Sequence, residues 1–226
     1  MSLRGTAFVG IVPEMRHVDP ADDLLALMDR HEVASAHLVV SGDTFGNPMI
    51  ELAVEHPARV RSLTITSWTS ETFVREAFAD SDYSRGQIAQ IEEYEELVAH
   101  GDVDRFVDYL VESGSYRMNE DFARYIAREM LVDNMSTFSP PMVQVTNPRI
   151  PVHERLAEVG QPTLALIGRQ VRPWQRAASD YLARHVPDGR LAVVPEAGRY
   201  PNLDNPKALN AEVLSFLADV DARTAR

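Results

Sequence analysis

Cysteine is absent from this 226-residue chain, and with it go a disulfide framework, thiol catalysis and any thiolate metal site. Long apolar runs are missing too: no stretch approaches the roughly 18 residues that a membrane-spanning helix needs. The opening MSLRGTAFVG has too short an apolar run for a secretory signal and leads straight into strand-like sequence. A soluble, cytoplasmic protein is the expectation. Basic clusters are lacking as well. Twenty-two basic side chains against 34 acidic ones give a formal charge of −12, which repels a phosphate backbone, so neither nucleic acid nor membrane is an expected partner. The seven histidines never fall at a His-x-x-x-His or His-Glu-x-x-His spacing, so no metal is expected, and no cofactor either.

What is present is a chain of 45% hydrophobic content, enough to bury the core of one domain with an insertion. Strand and helix patterns alternate at both ends. TAFVGIVP at 6–13, HLVVSG at 37–42 and VRSLTITS at 60–67 are strand-like runs separated by helical patterns, and PTLALIG at 162–168 and RLAVVP at 190–195 resume the series. Such a series predicts an α/β fold with a mainly parallel sheet of about five strands, covered on both faces. Asp19 before Pro20, followed by Asp22 and Asp23, marks the start of the first helix; further helices are expected at about 174–186 and 205–218.

Residues 69–159 break this rhythm with helical patterns alone, such as SRGQIAQIEEYEELVAHG and NEDFARYIAREMLVDNM. They are expected to form a helical lid inserted into a core made of 1–68 and 160–226. The run Glu92, Glu93, Glu95 and Glu96 is expected to be the solvated face of a lid helix.

The stretch AHLVVSGDTFGNPMIELAVEHPARVRSLTIT resembles the nucleophile elbow of the α/β-hydrolases, in which a strand runs into Gly-x-Ser-x-Gly-Gly and then a helix ending in Glu-Leu-Ala and His-Pro. QPTLALIGRQVRPW and PEAGRYPNLDNP resemble the segments that carry that family's acid and histidine. The resemblance implies a hydrolase-like sheet with a lid, and its catalytic slots are altered. Val171 fills the acid slot and Arg199 the histidine slot. Counting back from His56-Pro57 puts Asp43 in the nucleophile slot, whereas the glycines Gly42 and Gly46 point to Thr44. Asp43 and Thr44 could equally cap a helix starting near Pro48.

A relay needs a group that takes up and releases a proton near neutrality, which arginine cannot do. The expected protein is therefore a degenerate-triad pseudoenzyme that binds a small, partly apolar or anionic molecule. The alternative is a non-serine enzyme, a lyase, cyclase or epoxide-opening catalyst, using Asp43 and Arg199. Trp68, Met135, Phe138, Met142 and Tyr200 are candidates for the ligand's apolar wall, and His17 for a polar contact; at these spacings methionines and aromatics also serve as plain core. TAFVGIVPEMRHVDP resembles a later strand of the family, ending at Glu14-Met15-Arg16. The earlier strands, with their amide donor to an oxyanion, are then not expected, and a homodimer through the N-terminal sheet edge is.

Overall fold

The computed structural model describes residues 17–68, 73, 104–105, 108, 129, 144–145 and 151–224. The chain divides into two compact units, one of Met1–Asp19 with Arg75–Thr146 and one of Pro20–Val74 with Asn147–Arg226. In the first, β1 (His17–Val18) pairs in parallel with β4 (Gln144–Val145). This short ladder is not foreshadowed in the sequence, because two residues set no periodicity. The strand expected at 6–13 lies outside the described residues, and of the lid helices only Phe73, Asp104, Arg105, Asp108 and Glu129 are described, each helical.

The second unit is built on four parallel strands in the order β2 (Ala36–Ser41), β3 (Val60–Thr66), β5 (Thr163–Gly168) and β6 (Gly189–Val194). These are the expected strands at 37–42, 60–67, 162–168 and 190–195, each within a residue or two. The central strands β3 and β5 are almost wholly buried, as strands covered on both faces must be. The pleat sends alternate side chains to opposite faces. Leu63, Ile65 and Ala165 face one core with Ile50 and Leu52 of α2 (Asp43–Glu55) and Ala178 and Leu182 of α3 (Pro173–His185). Leu164 and Leu166 face the other, beneath Leu209, Phe216 and Val220 of α5 (Pro206–Thr224).

α1 (Pro20–Arg30) begins where its proline and acidic first turn predict, with Arg30 in the last turn. Between β4 and β5, two turns of 3-10 helix, Val152–Glu154 and Leu156–Glu158, bury Val152 and Leu156 in the core that also holds Leu63. Arg155 between them bonds Glu158 and Glu55 at the end of α2. The Glu158 hydrogen bond is the first cause that raises its pKa, desolvation opposes it, and Glu55 adds to the rise. Gln161, itself buried, donates its Nε2 to the carbonyls of Ala53 and Pro57 and so closes the turn after α2.

Candidate functional site

A parallel sheet gathers its loops at the carboxyl ends of its strands, the usual place for a site in an open α/β sheet. Four loops meet there. After β2, Gly42 takes φ 79° and ψ −179° and is the N-cap of α2, a backbone region essentially confined to glycine. Its N–H donates to the Thr66 carbonyl at 2.8 Å, and its own carbonyl accepts the Gly46 N–H at 3.2 Å. Asp43 and Thr44 are thus the first two helical residues, and the expected helix start near Pro48 is corrected. Pro48 lies inside α2, where it has no N–H for the Thr44 carbonyl and its ring crowds that carbonyl. The side chains of Asp43 and Thr44 lie outside the described residues.

After β3, Ser67 has a positive φ of 51°. Its N–H donates to Leu166, and its hydroxyl donates to the Arg199 carbonyl. Trp68 follows, fully buried, with Nε1 donated to Asn47 Oδ1 at 2.9 Å. This candidate for the ligand wall is packed into the core between α2 and Phe73, whose ring centroid lies 6.3 Å away.

The loops after β5 and β6 touch. A Cβ on Gly168 would fall 2.1 Å from the Gly198 carbonyl oxygen, so only glycine allows that approach. Arg169 and Gln170 donate their N–H groups to Val194 and Ala197, each at 2.9 Å. Val171, half-buried, follows them. Gly198 N–H donates to Asp204 Oδ2 at 2.8 Å from α4 (Pro201–Asp204), and Asn205 Nδ2 donates to the Pro195 carbonyl. Arg199 is half-buried, its guanidinium carbon 5.8 Å from the centre of the Tyr200 ring.

The structure therefore brings Val171, Arg199 and Tyr200 together with the start of α2 at one end of the sheet. His17 stands on β1 in the other unit, and Met135, Phe138 and Met142 lie outside the described residues. Ser67 and Asp204 were missed from sequence. Asp204-Asn205-Pro206 does carry a helix-start signal, whereas nothing about Ser67 distinguishes it from an ordinary strand-end serine. Arginine stays cationic and only donates, so this loop can hold an anion and cannot shuttle a proton. No group of three or more histidines or carboxylates suited to a metal ion occurs among the described residues, and no helix among them is long and apolar enough to cross a membrane.

No protein-family model matches the sequence. Solved structures do. A thermophilic esterase from Thermogutta terrifontis with malate bound is 19% identical, with a TM-score of 0.69 over 96% of this chain and 78% of its own. A bromoperoxidase from Bacillus anthracis is 18% identical, with a TM-score of 0.67 over 95% and 79%. The enol-lactonase from Burkholderia xenovorans LB400, 18% identical, gives 0.58 over 88% and 71%. With its parallel sheet, the strand-to-helix turn at Gly42 and these likenesses, the chain has the α/β-hydrolase fold.

Proposed function

We propose that this chain is a catalytically degenerate α/β-hydrolase-fold protein that binds a small, partly apolar or anionic molecule at the carboxyl end of its sheet, under a helical lid. The observation that carries the reading is Arg199, in the loop where the resemblance places a histidine and fixed there through Ser67 and the Gly198–Asp204 bond. These bonds hold the Arg199 backbone, and its guanidinium, beside the Tyr200 ring, suits a carboxylate or phosphate and offers no base to a nucleophile. Glycine at the strained turn adds to this, since the apex of the elbow bears no side chain to attack with. The malate bound in the Thermogutta esterase is a precedent for a carboxylate ligand in a protein of this fold.

The test is turnover of p-nitrophenyl acetate and butyrate together with labelling by a fluorophosphonate. Neither is expected. Stoichiometric labelling of any serine overturns the reading. The second reading, a lyase, cyclase or epoxide-opening enzyme, draws on Asp43 at the positive end of α2 and requires turnover that Asp43→Asn abolishes. A homodimer through the N-terminal sheet edge is the assembly we propose, supported by Val39, 52% exposed on β2, one of the two edge strands of the described sheet. A 25 kDa particle in light scattering at high micromolar concentration rules it out.

A further inference from the structure

The ion pairs of the described residues single out two arginines. Arg59, Arg155, Arg190 and Arg223 each face a carboxylate, at 2.8, 3.2, 3.0 and 2.7 Å. Arg30 and Arg184 stand in the last turns of α1 and α3, where the helix dipole favours a cation. Arg169 and Arg199 have neither compensation: among the described residues neither makes an ion pair, and both lie in loops. Glu196, exposed on the loop of Arg199, pairs with neither. Arg169 is exposed and Arg199 half-buried, so two guanidiniums with no ion pair among the described residues stand within reach of solvent on abutting loops.

The loops of Arg169 and Arg199 are locked together by the Arg169–Val194 and Gln170–Ala197 backbone bonds and by the Gly168 approach to Gly198. Position 171, two residues after Arg169, is an apolar valine, so no internal carboxylate is supplied there. Resting on the binding role proposed above, we infer that Arg169 and Arg199 form a two-arginine clamp for one oxyacid group of the ligand, a carboxylate or a phosphate. Guanidinium forks match either group with paired hydrogen bonds. The Tyr200 ring lies beside the Arg199 guanidinium and supports its cation through the ring face.

Calorimetric titration of the full chain with succinate, and separately with inorganic phosphate, at low ionic strength tests the clamp. Saturable binding of at least one is expected, with the tighter of the two naming the group. Arg169→Gln and Arg199→Gln should each weaken it by at least about tenfold, as loss of a charge-assisted pair implies. Arg199→Lys keeps the charge and loses the fork, and should weaken it too. Val171→Asp supplies an internal carboxylate and should abolish it. Arg184→Gln, the same charge change away from the site, should leave affinity unchanged. The clamp is overturned if neither anion saturates, if Arg169→Gln and Arg199→Gln both bind like wild type, or if Arg184→Gln weakens binding as much as they do. Ester turnover by the wild type would overturn the binding-protein reading instead, whatever the arginines do.

Discussion

Gly46 lies against Trp68 so closely that a Cβ on the glycine would stand 3.0 Å from Trp68 Cδ1 and 3.1 Å from Ile65 Cγ2. Neither neighbour can retreat. Both are fully buried, and Trp68 is held by its bond to Asn47. Gly46→Ala gains about 1 kcal/mol of helix propensity, while overpacking a tight core costs about 1–3 kcal/mol. A net loss of stability is expected in urea denaturation. An alanine variant as stable as wild type would mean that the tryptophan moves.

Gly42 makes a different prediction, because nothing lies within 4 Å of its hypothetical Cβ. The cost of Gly42→Ala is backbone strain alone, about 1–3 kcal/mol at φ 79° and ψ −179°. Thermal unfolding should show the loss, and Gly42→Ser should behave alike. A serine variant that is stable and gains fluorophosphonate labelling would show that the turn can present a nucleophile.

TLALIG was legible because a buried parallel strand is a nearly continuous apolar run, and VRSLTIT by its β-branched Val60, Thr64, Ile65 and Thr66. The start of α2 was not. Asp43, Thr44 and Pro48 are the chemistry of a helix start, yet the chain turns at Gly42, and only backbone geometry reveals that. Trp68 illustrates a further limit: an aromatic at a strand end reads the same whether it lines a ligand or fills the core. Arg199 was legible as a departure from a pattern, but Ser67 and Asp204, which fix its loop, come from far along the chain or from a short helix that no periodicity marks.

Ligand binding should respond to Asp43 and Arg199 if both belong to the site. Asp43→Asn and Arg199→Ala are expected to weaken binding of whatever ligand a small-molecule screen identifies, by about tenfold or more where a charge-assisted bond is lost. Equilibrium dialysis of that ligand measures it. Unchanged affinity in both variants would assign these residues to structure alone.

His37 ties three elements together on the α5 side of the sheet. Its Nδ1 lies 2.7 Å from Ser62 Oγ and its Nε2 3.0 Å from Asp221 Oδ1, which also accepts from Arg61. A carboxylate only accepts, so the Nε2 of His37 carries a proton. Ser62 is fully buried, whereas the Asp221 side chain is 54% exposed. The two ends of this chain of bonds should therefore differ in worth. Asp221→Ala leaves its partners open to water and should cost less than about 1 kcal/mol. His37→Ala strands the Ser62 hydroxyl in the core, at about 1–3 kcal/mol beyond the packing lost. Adding Ser62→Ala to His37→Ala removes the stranded group and should recover part of that loss, in a double-mutant cycle read by urea denaturation. If Asp221→Ala costs as much as His37→Ala, and the second substitution recovers nothing, the stabilisation lies in the surface ion pair rather than in the buried bond.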